Sequence, residues 1–490
     1  MTAMRDMLYL SEIATRVPGG AAVTGDDPVI TDVTHDSRAV GPGCLFVAIR
    51  GARADGHDFV AGAFAAGAAA VAVEHAVDGP SCMVVLDTRA ALPWIAAAVF
   101  DNPSHRLPVV GVTGTNGKTT VTHLVEQIVI ADGRTPGVVG TIGARIGDTA
   151  SSISRTTPEA PRLQRLLSEM LDAGVDVAAI EVSSHALALH RVDAIRFRVA
   201  GFTNLMQDHL DFHGDMEGYF AAKASLFTTD RAEHAVIGID DEAGMRIART
   251  ADLPITTVAI SREADITASS IVGYIDASSF VVNTPLDSFP VYMPIAGRFN
   301  VQNALLATGI AFELGIAPES IARGLASVGT IPGRFERIFA AGGPAIVVDY
   351  AHTPDAIQAV VDGARNLIEG QVIVVVGAGG DRDREKRPAM GRAAGSADLV
   401  ILTTDNPRSE DPATILAAVR SGVAEAASVV EEPDRRLAIR RALQTAGPDD
   451  IVLILGKGHE TGQEIAGRVE PFDDRVVALE EAQRIIGTSP

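Results

Sequence analysis

The sequence has 490 residues but only two cysteines, Cys44 and Cys82, one tryptophan and 4% aromatic residues. Two cysteines are too few for a disulfide framework or a four-cysteine zinc site, so we expect a reducing compartment, the cytoplasm. Basic residues are also scarce, since 41 lysines and arginines accompany 62 acidic residues for a formal charge of −21. Nucleic acids and anionic membrane surfaces bind basic patches, so neither is an expected partner.

Long hydrophobic runs are absent as well. No stretch reaches the roughly 18 uncharged apolar residues of a membrane span. Arg5, Asp6 and Glu12 interrupt the N-terminal segment, which therefore does not resemble a signal peptide. The remaining composition, with 47% hydrophobic and 21% charged residues, is that of a globular protein. At about 150 residues per domain, the length predicts roughly three domains.

Three segments of different texture follow one another along the chain. Residues 1–104 contain short apolar runs and an alanine-rich stretch over 59–70 that predicts a helix, and a turn-rich sequence over 101–105 ends the segment. In residues 105–332 and again in 333–490, apolar strands alternate with helical patterns, as in parallel sheets covered on both faces. We therefore predict an α/β protein with an N-terminal α/β domain (1–104), a central P-loop-type parallel-sheet domain (105–332) and a C-terminal Rossmann-like domain (333–490). The predicted strands cover 44–49, 69–73, 82–86, 107–113, 175–182, 198–203, 234–239, 345–350, 371–376, 399–404 and 451–455, and further predicted helices cover 118–131, 412–427 and 435–446.

The strongest local motif is GVTGTNGKTT at 111–120, between a predicted strand and a predicted helix. Glycines there allow a close backbone approach, and amides at a helix N-terminus favour an anion, so the motif predicts a phosphate-binding loop. Lys118 would reach the β- and γ-phosphates, and the Thr119 hydroxyl would bind Mg²⁺. The loop is a variant of the usual pattern, because Val112 occupies the position of the first glycine. The alternative is a glycine turn that merely starts a helix.

Two further clusters lie in the same segment. Glu181 ends a predicted strand, where a carboxylate either binds Mg²⁺ opposite Thr119 or caps a helix. The run TNLMQDHLDFHGD at 203–215 is dense in histidine and aspartate. Zinc lacks a cysteine partner or an HExxH motif here, so Mg²⁺ or Mn²⁺ with oxygen ligands fits better, and a polar loop with capping histidines is the alternative. The glycines at 377–380 do not make a dinucleotide motif, because Arg382 replaces the third glycine.

Taken together, the motifs resemble those of the Mur ligases, the ATP-dependent amide-forming enzymes of peptidoglycan synthesis. The resemblance rests on VTGTNGKTT, EVSSH, TNLxxDHLD and AAK, then GRFNVxN (297–303), PGR (332–334), DYAHTP (349–354), GGDRD (379–383) and GKGHE (456–460). It covers essentially the whole chain in order. The family has one domain for a UDP-sugar, one for ATP and one for the incoming amino acid.

The resemblance implies a role for each of a set of residues. ATP as co-substrate would be bound by Gly114, Thr115, Asn116, Gly117, Lys118, Thr119, Thr120, Asn300, Asn303, Arg334 and Asp349. Two Mg²⁺ ions would be held by Thr119, Glu181, His209 and Lys223, the last as a carbamylated lysine, and the catalytic residues would be Lys118, Lys223 and His209. The UDP-muramoyl peptide would be contacted by Ser37, Thr156, Thr157, Ser183 and Arg191. The incoming amino acid would be bound by Arg382, Asp405, Asn406, Pro407, Arg408, Gly456 and Glu460.

The DNPR motif at 405–408 is the form that the family associates with meso-2,6-diaminopimelate rather than lysine. The implied reaction joins this amino acid to the D-glutamyl γ-carboxylate of UDP-N-acetylmuramoyl-L-alanyl-D-glutamate through an acyl phosphate. Arg408 offers a planar fork for the second carboxylate, and a buried, unpaired guanidinium would reject lysine by ~10²–10³-fold. Arg155 and Leu189 depart from the pattern, since some members have Asn and Gln there. We expect the chain to act as a monomer.

Two alternatives remain open from the sequence. One is a sister ligase that adds lysine or acts like a folylpolyglutamate synthase. The other is a P-loop NTPase that regulates other proteins and hydrolyses ATP without an amino-acid acceptor, although Arg382, Arg408 and Glu460 in the third segment argue against it.

Overall fold

The computed structural model describes residues 7–51, 54–340, 342–425 and 427–487, with side chains described as far as 485. None of the helices within these ranges combines the length and apolarity that a bilayer crossing requires. Three main sheets, each with its own buried apolar core, follow one another along the chain. The predicted domain cuts after residues 104 and 332 fall between the strands of successive sheets, and the boundaries themselves stay predictions.

The first sheet has the strand order β2-β7-β6-β5-β4, in which β4 to β7 are parallel and β2 is antiparallel. The helix predicted over 59–70 is wrong in length, because Gly67 adopts a positive φ of 98° and the next strand starts at Ala70. The elements of this part are β1 (Leu8–Tyr9), α1 (Leu10–Ala14), β2 (Ala22–Gly25), β3 (Val29–Ile30), β4 (Asp32–Thr34), β5 (Cys44–Val47), α2 (Val60–Ala65), β6 (Ala70–Val73), β7 (Ser81–Val84) and α3 (Thr88–Val99).

The second sheet has the order β11-β10-β9-β12-β8-β13-β14-β15-β16-β17-β18. Its centre is parallel as predicted, but both edges are antiparallel, β10 and β11 at one and β17 and β18 at the other. The elements are β8 (Val109–Thr113), α4 (Lys118–Ala131), β9 (Pro136–Gly140), β10 (Gly143–Ile146), β11 (Thr149–Ser151), α5 (Ala160–Asp172), β12 (Val177–Glu181), α6 (Ser184–Ala188), β13 (Phe197–Phe202), α7 (Leu210–His213), α8 (Met216–Ala224), β14 (Ala232–Gly238), α9 (Glu242–Thr250), β15 (Ile255–Ala259), β16 (Ile266–Gly273), β17 (Ser278–Asn283), β18 (Ser288–Met293), α10 (Arg298–Glu313) and α11 (Pro318–Ser327).

The third sheet has the order β19-β20-β24-β21-β22-β23, parallel except for β19 at its edge, with helices on both faces. The helix predicted over 412–427 is shorter than expected, because it ends at Arg420, just before Gly422 packs against the backbone of Pro388. The elements are β19 (Glu336–Ile338), β20 (Ala345–Asp349), α12 (Pro354–Arg365), β21 (Val372–Val376), α13 (Lys386–Ala394), β22 (Leu399–Leu402), α14 (Pro412–Arg420), β23 (Val429–Glu431), α15 (Arg435–Thr445), β24 (Ile451–Leu455), β25 (Gly462–Ile465), β26 (Arg468–Pro471) and α16 (Asp474–Gly487).

Three adjacent parallel strands of the second sheet position the candidate site. Strand β8 lies between β12 and β13, and all three end at the same edge. The segments that follow them are the glycine loop 114–117, the turn at Val182–Ser183 and the polar run that begins at Thr203. Since ligands of parallel sheets bind at the carboxyl ends of the strands, these segments form the expected place for a substrate.

Helix α4, which follows the glycine loop, packs closely against α11. A methyl group added at Gly324 of α11 would lie 2.4 Å from the Ile128 Cα of α4. We expect Gly324→Ala to separate the two helices and destabilise the protein by ~1–3 kcal/mol, with a lower Tm by calorimetry. Gly329→Ala is the matched control, because its methyl group would meet nothing within 4 Å. Equal melting curves for the two variants would contradict this packing.

Candidate active site

The glycine loop turns sharply between β8 and α4. Gly114 has a φ of 143°, and a Cβ added there would lie 1.8 Å from Thr203 Oγ1. Gly117 has a φ of 88°, and a Cβ added there would lie 2.3 Å from Asn303 Oδ1. Thr203 Oγ1 also donates to the Asn116 carbonyl at 2.6 Å. The loop is therefore fixed against the end of β13 and the start of α10, and only glycine fits at its two bends.

The Thr115 and Asn116 part of the loop is bonded to the segment after β13. The Thr115 amide donates to the Asn204 carbonyl at 2.9 Å, and the Asn116 amide donates to the Asn204 side chain at 3.0 Å. Thr115 Oγ1 lies 3.1 Å from the hydroxyl of Tyr219 on α8. The phosphate-loop candidate and the histidine-rich run thus form one rigid unit.

Two lysines converge on a single carbonyl oxygen of this loop. Lys118 Nζ donates to the Gly114 carbonyl at 2.9 Å, and Lys223 Nζ donates to the same oxygen at 2.7 Å. Lys223 is only 1% exposed, so it is not a surface lysine. Burial, and then the nearby charge of Lys118, lowers the pKa of Lys223 well below its usual value. A lowered pKa favours the neutral amine, which is the form that reacts with CO₂.

A hydroxyl and a carboxylate meet at the start of α4. Thr119 Oγ1 donates to Glu181 Oε2 at 3.0 Å, and Thr141 donates to the same carboxylate through its amide at 2.8 Å and its hydroxyl at 2.9 Å. Arg334, from the linker before the third sheet, donates to Thr119 Oγ1 at 2.9 Å. Glu181 is 1% exposed, so this is a buried, oxygen-rich site of the kind that Mg²⁺ prefers.

No group of three or more His, Cys, Asp or Glu side chains in the described part of the chain forms a complete metal-binding set. Mg²⁺ needs no such set, because it keeps several waters and takes phosphate oxygens beside one or two carboxylates.

His209 lies in the left-handed region, with φ 56°, directly before α7. Burial lowers its pKa to about 3, so the ring stays neutral and a nitrogen lone pair is available as a ligand. Its Nε2 lies 3.4 Å from Asp208 Oδ2, and the His185 ring packs edge-on at 4.7 Å.

Asp208 is a buried residue of this site that the sequence reasoning did not single out. Lys386 Nζ, on α13 of the third sheet, donates to Asp208 Oδ1 at 2.9 Å, and His352 Nε2 lies 3.5 Å from Oδ2. Burial by itself raises the pKa of Asp208, but the hydrogen bond with His352 and the charge of Lys386 outweigh it, so the pKa is lowered below its usual value. The pair joins the second and third parts of the chain.

A cavity of about 300 Å³ opens beside the glycine loop. Asn303 Nδ2 donates to Asn300 Oδ1 at 3.1 Å at the start of α10, and Arg334 covers the Tyr350 ring at 4.7 Å. Burial raises the pKa of Asp349, whose carboxylate accepts from two backbone amides. All the predicted adenosine-side residues line this cavity, together with part of the loop: Asn116, Gly117, Thr120, Asn300, Asn303, Arg334 and Asp349.

The residues predicted for the muramoyl peptide lie next to Glu181. Thr157 Oγ1 donates to the Glu181 carbonyl at 2.7 Å and accepts from the Ser183 amide at 3.1 Å. Thr156 Oγ1 lies 3.1 Å from the Thr141 hydroxyl, and Arg191 Nη1 donates to the Thr157 carbonyl at 3.1 Å. Four of the five predicted side chains are thus brought together.

A carboxylate with three arginine partners borders this group. Glu159 pairs with Arg191 at 3.0 Å, with Arg155 at 2.5 Å and with Arg89 of α3 at 2.9 Å. Ser37, the fifth predicted contact, starts a short 3-10 turn in the first part of the chain. Burial lowers the pKa of its neighbour His35, and the charges of Glu159 and Arg89 also act on that ring. This turn therefore lies close to Glu159 and its arginines.

The predicted amino-acid residues converge beyond the carboxyl ends of β21, β22 and β24. The Gly380 amide donates to the Asn406 carbonyl at 2.8 Å, Arg408 Nη1 donates to the Gly380 carbonyl at 2.6 Å, and Asn406 Nδ2 donates to Glu460 Oε2 at 2.7 Å. A Cβ on Gly456 would lie 2.4 Å from Asp405 Oδ2. Pro407 is buried between Asn406 and Arg408, whereas Arg382 is exposed.

Sequence reasoning missed four partners within this site: Thr141, Asp208, His352 and Lys386. Asp208 and His352 stand inside motifs that it quoted, DHLD and DYAHTP, so the signal was present. Thr141 and Lys386 gave no signal, because their partners are distant along the chain.

Comparison with known proteins agrees with this geometry. Residues 29–100 match the catalytic domain of the Mur ligase family, 112–311 the Mur ligase middle domain and 333–458 the glutamate ligase domain of Mur ligases. A UDP-N-acetylmuramoyl-L-alanyl-D-glutamate–2,6-diaminopimelate ligase of Streptomyces avermitilis is 44% identical over 98% of this chain and 97% of its own length. A ligase of the same name from Bacillus cereus is 42% identical over 94% of this chain and 95% of its own.

Solved structures give the same result. A UDP-N-acetylmuramoyl-L-alanyl-D-glutamate–2,6-diaminopimelate ligase superposes with a TM-score of 0.71 at 32% identity, covering 99% of this chain and all of the other. A MurF ligase from Thermotoga maritima in complex with ADP has a TM-score of 0.66 at 20% identity, over 93% of this chain and 98% of its own, and shares the fold. The chain belongs to the Mur ligase family, and it is an ATP-dependent amide ligase.

The Asp208–Lys386 pair gives a prediction about how the two parts hold together. Lys386→Met leaves a buried carboxylate without its main cation, at a cost of ~3–5 kcal/mol. We expect faster amide hydrogen exchange in 204–213 and 384–394, and a lower Tm. The double variant Asp208→Asn/Lys386→Met removes both charges and is expected to recover most of the loss.

The same pair predicts how stability changes at acid pH. Because the pKa of Asp208 is lowered in the folded protein, the pair makes its full contribution to the free energy of unfolding above about pH 4, the ordinary pKa of an aspartate. That contribution decreases only as the pH falls further. Equal exchange rates in wild type and Lys386→Met at pH 7 would contradict the contact.

Proposed function

We propose that this chain joins meso-2,6-diaminopimelate to the D-glutamyl γ-carboxylate of UDP-N-acetylmuramoyl-L-alanyl-D-glutamate, converting ATP to ADP and phosphate during the synthesis of peptidoglycan precursors. The observation that carries the proposal is the cluster of Asn406, Arg408 and Glu460 at the end of the third sheet, tied to the phosphate loop through Asp208 and Lys386. Relatives named for this activity match nearly the full length of the chain. We place the reaction in the cytoplasm, where the buried free cysteines stay reduced, and propose a monomer.

The reaction needs activation because a carboxylate is a poor electrophile. Transfer of the γ-phosphoryl group of ATP to the γ-carboxylate gives an acyl phosphate and ADP. The neutral amine of the incoming amino acid then attacks its carbonyl carbon, and the tetrahedral intermediate collapses to the amide with loss of phosphate and a proton. In-line placement and charge neutralisation are the main requirements of the first step.

The residues divide this work by their positions. Lys118 and the amides of the 114–117 loop bind the phosphates, and the cavity lined by Asn300 and Asn303 binds the adenosine. Arg334 reaches both the cavity and Thr119, which supports a role for it at the group that is transferred. Thr156, Thr157, Ser183, Arg191 and Ser37 orient the muramoyl peptide.

The donor set around Glu181 fits Mg²⁺. Thr119 and Glu181 would hold one ion, and His209 with carbamylated Lys223 would hold a second. Bound Mg²⁺ supplies charge neutralisation for the phosphoryl oxygens. On this chain's side, carbamylation of Lys223 forms an N–C bond to CO₂ and releases a proton, which replaces a neutral amine by an anionic oxygen ligand.

Lys223 is the residue for testing this set. Lys223→Ala should lower amide formation by at least tenfold to a hundredfold, the usual effect of losing a supporting metal contact. Wild type incubated with ¹³C-bicarbonate should show a carbamate signal by NMR that Lys223→Ala lacks. Lys386→Met, which removes a different buried lysine, should keep the signal. Unchanged amide formation in Lys223→Ala would refute the carbamate.

Selectivity for the diacid is assigned to Arg408. Its guanidinium is 23% exposed and lies 3.6 Å from Glu464 Oε2, so the sequence-based expectation of a buried, unpaired cation was too strong. A charge-assisted bond of ~1.5–3 kcal/mol predicts a preference for diaminopimelate over lysine of roughly tenfold to a hundredfold.

An acceptor panel tests the function. Phosphate release and product mass should depend on ATP, the UDP-muramoyl dipeptide and diaminopimelate together. Arg408→Met should remove most of the preference over lysine, whereas Arg384→Met, at a 70% exposed side chain nearby, should not. Equal use of lysine by wild type would indicate a sister ligase, and ATP hydrolysis without any acceptor would indicate a regulatory NTPase.

A further inference from the structure

Lys457 is a buried cation that the proposed mechanism does not use. It follows β24 in the GKGHE motif and is 0% exposed. Its Nζ donates to the Gly462 carbonyl at 2.6 Å, to Glu460 Oε2 at 3.2 Å and to Asn406 Oδ1 at 3.3 Å. All three donors of the ammonium are therefore occupied, and two of the acceptors belong to the proposed amino-acid site.

These bonds fix which way the Asn406 amide points. Oδ1 accepts from Lys457 and from the Glu464 amide at 2.9 Å, so the oxygen end faces the protein. Nδ2 donates to Glu460 Oε2 at 2.7 Å. A flipped amide would place its NH₂ group against an ammonium and a backbone N–H, which disfavours that orientation.

The same bonds fix the carboxylate of Glu460. Both Asn406 and Lys457 donate to Oε2, and among the described residues no hydrogen bond is made to Oε1. The side chain is 32% exposed, so the carboxylate is anchored through Oε2 and is still accessible to a ligand. A carboxylate oxygen held in this way is a preorganised acceptor for an ammonium group.

We infer that Lys457 is the positioning residue that aims Glu460 at the distal ammonium of the incoming amino acid. Lys457 itself does not touch the substrate, since it is fully buried and its donors are used. This inference rests on the proposed function. It separates two recognition tasks: Arg408 recognises the distal carboxylate, and the Lys457–Asn406–Glu460 network recognises the distal ammonium.

The test compares diaminopimelate with 2-aminopimelate, a diacid that lacks only the distal ammonium. In wild type, kcat/KM should favour diaminopimelate. In Lys457→Met, kcat/KM for diaminopimelate should fall about tenfold or more, while kcat/KM for 2-aminopimelate and KM for ATP stay within about twofold. A purely structural role would lower both acceptors equally. Glu460→Gln should show the same loss, and adding Lys457→Met to it should change the acceptor ratio no further.

Two controls keep the outcome interpretable. Arg435→Lys disturbs another fully buried cation of the same part, which pairs with Asp474 at 2.6 Å, and it should lower Tm without altering the acceptor ratio. Lys457→Gln, which keeps a neutral donor, replaces Lys457→Met if the latter does not fold, and should fall between it and wild type. Equal losses with both acceptors would overturn the inference alone, whereas no diaminopimelate ligation by wild type would overturn the proposed function.

Discussion

Two amino groups that share one carbonyl oxygen are the central constraint of this site. Lys118 and Lys223 both donate to the Gly114 carbonyl, and their positive charges disfavour each other at that distance. Lys118 is partly exposed, whereas Lys223 is fully buried. Burial and the neighbouring charge of Lys118 both lower the pKa of Lys223, and a lower pKa favours the neutral amine that can react with CO₂.

Polar contacts between the second and third parts lie at the same site. Arg334 reaches Thr119, and Lys386 reaches Asp208, so the third part is fastened to the loops that surround the phosphate site and not to a distant surface. Any rotation of the third part must break or remake these bonds. These charged side chains therefore connect the predicted nucleotide region with the part of the chain that carries the predicted amino-acid residues.

The sequence predicted some elements to the residue. Helix α4 and strand β24 have the predicted bounds, because the helix begins directly after the glycine loop and has one apolar face, and the strand is a continuous apolar run. The edge strands β10, β11, β17 and β18 were missed, since they are short or partly exposed. Strand β9 was also missed although it is buried, because one proline and two glycines interrupt its apolar pattern. The motif residues were found, but a contact such as Asp208 with Lys386, 178 residues apart, leaves no local pattern to read.

The carboxylate of Glu159 with its three arginines has a consequence for how this protein can vary. Its partners come from α3, from the loop before α5 and from the segment after α6. Loss of Arg89 or Arg155 leaves the anion with two arginine partners, whereas loss of Glu159 removes the partner that all three share. Substitution of the acid is therefore expected to cost more than substitution of either of these two arginines.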